Sequence, residues 1–132
     1  MATFGPIETR TLEAGEDLSA QQYKFVTLET DGQIDAADAI GEDCYGVLIN
    51  TPSLVGEAAT VVIRGVVMME AGGTVAIGDK ICTNAAGEAI DVNDSTSATT
   101  RHMGIALDAA ADGERFRVEL FGPYAGDITD ES

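Results

Sequence analysis

Gly56-Glu-Ala-Ala-Thr-Val-Val-Ile-Arg-Gly65 returns once, as Gly113-Glu-Arg-Phe-Arg-Val-Glu-Leu-Phe-Gly122, 57 residues further on. Both stretches open on Gly-Glu, carry a β-branched or aromatic middle and close on glycine. The match extends backwards at nearly the same distance. Ala14-Gly15 falls on Ala71-Gly72 and Leu18 on Val75 at 57, Gly46-Val47-Leu48 near Gly104-Ile105-Ala106 at 58, and Asp31-Gly32 near Ala86-Gly87 at 55. Residues 14–65 and 71–122 therefore read as two copies of one unit. A long period occurring only twice is the mark of an internal duplication, not of a solenoid.

Working outward, the local patterns are those of strands. Tyr23 to Leu28 is β-branched and aromatic, Asp31-Gly32 suits a tight hairpin, and Cys44 to Ile49 follows as another strand. Ala59 to Glu70 is the longest apolar run. Its β-branched residues and central Gly65 predict a long strand bent or bulged at that glycine. The hairpin Lys80–Val92 and the strands His102–Leu107 and Arg115–Phe121 complete the series, and Asn93 to Thr100 reads as a polar surface loop. Short strands at regular spacing predict an all-β fold, a small β-barrel or sandwich with pseudo-twofold duplication and little or no helix.

The expected organisation has three parts. Residues 1–13 lack a counterpart in the second copy and read as an N-terminal extended arm, with Pro6 opposing a helix. Extended, it would reach roughly 40 Å. Residues 14–122 form a single β domain, and 123–132 an acidic C-terminal tail.

Composition excludes several function classes. Seven basic residues against 23 acidic give a net charge of −16, which repels both nucleic acid and an anionic membrane. No apolar run reaches the ~20 residues that span a bilayer. Met1-Ala-Thr-Phe-Gly-Pro6 has neither a basic n-region nor an apolar h-region, so synthesis in the cytoplasm is expected. Cys44 and Cys82 stand 38 apart without a CxxC frame and read as buried thiols, with a disulfide left open. With no Trp and 5% aromatics, the core rests on Val, Ile, Leu and Ala, and part of the stability is expected from association with other copies.

No catalytic constellation emerges. None of the serines sits in a Gly-x-Ser-x-Gly turn, and His102 is the only histidine. One His and two scattered Cys do not make a zinc site. Asp91-Val-Asn-Asp-Ser95 opens like a calcium loop, but the frame's glycine and bidentate glutamate positions hold Thr96 and His102. The expectation is a binding protein with no catalytic residue, metal or cofactor.

Taken in order, Asp17-Leu-Ser-Ala-Gln-Gln-Tyr-Lys-Phe-Val26, Tyr45-Gly-Val-Leu-Ile-Asn50, Gly56–Gly65, Ala71-Gly-Gly-Thr-Val-Ala-Ile-Gly-Asp-Lys80 and Gly104-Ile-Ala-Leu-Asp-Ala-Ala110 resemble the capsid decoration, or cement, proteins of tailed bacteriophages. The resemblance covers about residues 12–122. It implies a β-rich protein on the outer surface of the expanded head, clamping adjacent major capsid proteins, commonly as a homotrimer although the family also includes dimers. A tail or fibre component, or a trimeric β-fold enzyme of the nucleotide-hydrolase kind, is the rival reading. On this reading the arm grips the capsid through Thr3, Phe4, Pro6, Ile7, Thr9 and Arg10, with Phe4 and Ile7 as apolar anchors; the alternative is that residues 1–13 add a strand to the protein's own barrel.

Overall fold

The computed structural model describes residues 7–97, 100 and 102–122. Among them the chain is nearly all strand: β1 (Glu8–Glu13), β2 (Phe25–Leu28), β3 (Ile34–Ala36), β4 (Gly46–Leu48), β5 (Ala58–Glu70), β6 (Lys80–Thr83), β7 (Ala89–Asp91), β8 (Gly104–Ala106) and β9 (Arg115–Leu120), with one 3-10 turn at Val92–Asp94. The sheet runs β3-β2-β4-β5-β9-β8-β6-β7, with β1 added to β5, and every ladder is antiparallel. It curls into a half-barrel. Isolated parallel bridges, Ala14 to Ile34 and Ala71 to Ala89, turn each half back on itself.

The 13-residue β5 is the hinge of the design, as its sequence predicts. Gly65 sits at φ +105°, a conformation closed to L side chains without strain. Before it, β5 pairs with β1 and β4; from Gly65 onward it pairs with β9.

The ladders of the two halves repeat register for register. Phe25 pairs with Val47 as Lys80 pairs with Ile105, and Leu48 with Val61 as Ala106 with Val118. Glu13 pairs with Ala58 as Glu70 pairs with Arg115. This last equivalence extends the repeat beyond its expected start. Residues 8–13, read as an arm without a counterpart, form a strand on the body of the domain, and their counterpart at 57 is the second half of β5. The sequence hides it because Thr9, Arg10 and Thr11 stand where Val66, Val67 and Met68 stand. Residues 1–6 and the tail 123–132 lie outside the described residues.

Each half fills its own interior with equivalent positions. In the first these are Ala14, Leu18, Val26, Ile34, Leu48, Ala59, Val61 and Ile63; in the second, Ala71, Val75, Ile81, Ala89, Ala106, Phe116, Val118 and Leu120. Volumes are traded between neighbours. Phe116 replaces Ala59, while Ala89 and Ala106 replace Ile34 and Leu48. Such exchanges keep a core filled when total volume is conserved.

The contact between the halves is one-sided. Phe25, Ala37, Cys44, Val47 and Val62, on the outer side of the first half, join the core of the second. Their ladder equivalents Lys80 and Glu119 are exposed, and Ile105 is half-buried. One apolar face thus serves as the joint, and its copy is left to water. Cys44 and Cys82 are both free and buried. Burial pushes the Cys82 thiol up to about 12 and Cys44 well above its ordinary value. The polar run after the 3-10 turn is anchored: Thr100 is buried, hydrogen-bonded to Ser95 at 2.6 Å and packed against Gly41 of the first half.

Candidate functional site

Among the described residues β1 pairs with β5 on one side only, and no described strand pairs with its other edge. Of the residues expected to grip a partner, Thr3, Phe4 and Pro6 lie outside the described residues. Ile7 precedes β1 with 46% of its surface exposed, and Thr9 and Arg10 are exposed on the strand. Arg10 is held along the edge: it donates to Glu8 Oε2 at 2.7 Å and to the Thr9 carbonyl at 2.9 Å. Glu8 also accepts from Arg64 at 3.1 Å, and Arg64 donates to the Phe121 carbonyl at 3.3 Å. Arg10, and after it Arg64, holds the Glu8 carboxyl below its ordinary range. The start of β1, the bend of β5 and the end of β9 therefore meet at one charged knot.

Further along β1 the edge becomes a shallow groove. It is lined by Thr11, Leu12 and Glu13, by Asp31, Gly32 and Gln33 of the β2–β3 turn, and by Gly56 and Ala58. Leu54 and Val55, directly before Gly56, are about two-thirds exposed, at 64% and 65%. Acid crowds the same end. Burial first, then Glu16, Glu29, Asp31 and Asp38, raises the Asp35 carboxyl, and its Oδ1 is buried without a hydrogen-bond partner. Among the described residues no group of three or more His, Cys, Asp or Glu is arranged to hold a metal ion. A smaller cleft on the second half is lined by Asp79, Lys80, Asp91 and Asn93, and burial raises Asp91 there.

What the molecule offers is a strand edge, an acidic groove and a rim of exposed apolar residues. That is binding chemistry. The sequence matches the family described as phage cement protein over residues 18–120. The chain belongs to the phage cement protein family. Cement proteins are structural components of the phage particle, so this chain is a phage virion structural protein. The fold of this cement protein is similar to that of the head fiber gp8.5 N base in bacteriophage phi29, with a TM-score of 0.65, 17% sequence identity, and 87% of this chain and 94% of that one covered. No curated protein matches the cement protein in sequence.

Sequence reasoning placed the candidate contacts on residues 3–10 and missed the groove at residues 11–13 and 31–33. The signal was present in the match of Glu13 to Glu70 at the repeat distance.

Proposed function

We propose that this cement protein binds the outer surface of the expanded phage head and stabilises it by clamping adjacent major capsid proteins. The observation that carries this reading is the family match over residues 18–120, joined to a strand edge with which no other described strand pairs. Ile7, Thr9 and Arg10 supply one apolar anchor and polar edge contacts to the capsid, continued by Thr3, Phe4 and Pro6. Three copies acting together would multiply weak contacts by effective concentration, so the working unit is a homotrimer. Its charge of −16 favours solubility at high concentration and disfavours nucleic acid and membrane as partners. It acts without catalysis, cofactor or metal, as a part of the virion made in the host cytoplasm.

Purified protein is mixed with undecorated heads, expanded and unexpanded, and the heads are imaged by cryo-EM and heated. The proposal expects decoration of expanded heads, a higher temperature of head rupture, and density bridging neighbouring capsid subunits in threefold clusters. Density confined to the tail, or decoration that leaves rupture unchanged, would sink it. Light scattering of free protein is expected to give about three times 13.7 kDa.

A further inference from the structure

The groove along β1 has a copy inside the same molecule, and that copy is occupied. In the second half its walls are Met68, Met69 and Glu70 of β5 and Ala86, Gly87 and Glu88 of the β6–β7 turn. Residues 23–25 of the first half lie in it. The Glu70 N–H donates to the Tyr23 carbonyl at 3.0 Å, and the Phe25 N–H donates to the Gly87 carbonyl at 2.7 Å. A side chain carbon at Gly87 would come within 3.0 Å of the Phe25 carbonyl oxygen and 3.3 Å of Lys24 Cβ. The guanidinium of Arg115 stacks on the Tyr23 ring at 4.6 Å. The occupant is thus a bent Tyr-Lys-Phe segment, with Tyr23 at φ +67°, held through main-chain bonds at both ends as it leads into β2.

In the first half no described residue fills the space between the same walls. Gly32 has φ +82°, against +83° at Gly87, yet a side chain carbon at Gly32 would meet nothing within 4 Å. Glu13 and Thr11 stand where Glu70 and Met68 stand, so their N–H groups face outward by strand alternation. Ala58 replaces Arg115, and the exposed Leu54-Val55 replaces Ala111-Asp112.

We propose that this groove is a docking site, working through main-chain bonds, for a positively charged turn segment of a neighbouring capsid subunit that carries an aromatic residue beside its basic one. The inference rests on the head-binding reading above. Charge selects the occupant: Glu13 and Asp31 line the groove, and Asp35, two residues beyond Gln33, feels Glu16, Glu29, Asp31 and Asp38. The chain's last ten residues contain Asp127, Asp130 and Glu131 and no Lys or Arg, so they are of the wrong sign. A second copy fits poorly as well, because its Tyr23-Lys24-Phe25 is already used inside its own fold. The equivalent segment Gly78-Asp79-Lys80 has no aromatic residue. The rim Leu54-Val55 gives the apolar part of the visitor a surface to cover.

The probe is a synthetic peptide with the sequence of residues 20–27, titrated into the full chain and followed by NMR. Shifts are expected at residues 11–13, 31–33 and 54–58. Two variants occlude the site in different ways. Gly32→Asn suits the left-handed backbone and fills the space above the turn. Thr11→Pro removes an outward N–H while sparing the bonds to β5. Each, melting like the parent, is expected to weaken peptide binding and head binding by at least about tenfold, the equivalent of one lost main-chain bond at ~1.4 kcal/mol. A peptide in which Lys is replaced by Glu is expected to bind no better than the variants do. Unchanged peptide affinity in both variants, or no binding to the parent, overturns the proposal. Variants that lose the peptide yet coat heads normally overturn it and leave the head-binding reading standing. A parent that fails to coat heads removes the capsid segment as occupant. Self-association abolished by Gly32→Asn would assign the groove to a second copy instead.

Discussion

The two halves of this cement protein share one ladder pattern but treat their surfaces in opposite ways. The outer face of the first half, with Phe25, Val47 and Val62, is buried against the second; the same face of the second, with Lys80, Ile105 and Glu119, is turned to water. The groove of the second half holds residues 23–25 of the first, and the groove of the first holds no described residue. A duplicated unit can make such a contact once and then stop, because the copy that would continue it has been made polar. A joint carried forward unchanged would add unit after unit, the open-ended assembly that heterologous contacts produce.

The sharpest way to break the comparison is at the joint itself. Phe25→Ala removes a fully buried ring and is expected to cost about 3–5 kcal/mol in urea unfolding. Lys80→Ala, at the equivalent position, is expected to stay within about 0.5 kcal/mol. Equal losses would mean that the joint is not one-sided. Next in size are two glycines where the halves should agree. A side chain carbon at Gly46 would lie 2.3 Å from the Val62 carbonyl oxygen, and at Gly104 2.4 Å from that of Glu119. Alanine at either site is expected to cost about 1–3 kcal/mol through overpacking. A difference between the two would show that one half relaxes more easily than the other.

Arg115→Ala makes the filled groove resemble the empty one, which has Ala58 there. It is expected to cost about 0.5–1 kcal/mol, the value of an exposed cation–π contact. Tyr23 sharpens this point. It is the one non-glycine described with positive φ, at +67°, where the second half has Gly78. Its main-chain bonds to Leu48 and Glu70, together with Arg115, hold it there.

The smallest expected effects come from pH. Burial raises Asp35 and Glu42 in the first half and Asp91 in the second. A carboxyl raised by the fold stabilises it below the ordinary value, 3.8 for Asp and 4.5 for Glu, and that contribution fades as pH climbs through the raised one. Cooling the negative charge helps in the same direction. Asp108 behaves oppositely. It accepts from the Arg117 guanidinium at 2.8 and 2.9 Å and from its N–H at 3.0 Å, and these bonds lower its carboxyl to about 2. Its contribution is present above 3.8 and is lost as pH falls through about 2. The melting temperature is therefore expected to rise from neutral pH towards mild acid and then fall. A monotonic fall below pH 7 would contradict the raised carboxyls.

Much of the fold was legible in the sequence because strands, turn glycines and a 57-residue repeat are local or periodic signals. The bend at Gly65 was read from β-branched neighbours around a glycine, and Gly65 indeed marks the change of partner strand. β1 was not read as part of the repeat, since Glu8–Glu13 shares almost no residue type with Gly65–Glu70 beyond the final Glu. Its pairing partner decides its role, and pairing across 50 residues leaves no local mark. The groove was missed for the same reason. It is made of two turns and an edge that only the closed ladder brings together.

By itself the sequence determined the all-β class, the duplication and the absence of a recognisable catalytic frame. It also held a cue to the unequal halves. Phe25-Val26, Val47-Leu48 and Val61-Val62 are apolar on both strand faces, whereas Lys80-Ile81 and Arg115-Phe116-Arg117-Val118-Glu119 alternate. A strand apolar on both faces must be covered twice, and an alternating one once. Only the tertiary structure decided what does the covering. Burial is non-directional, so an apolar face accepts any apolar partner. The choice of partner came from geometry: the bend at Gly65 and the main-chain bonds of Tyr23 and Phe25 direct the first half onto the second, and no described residue enters the first half's own groove.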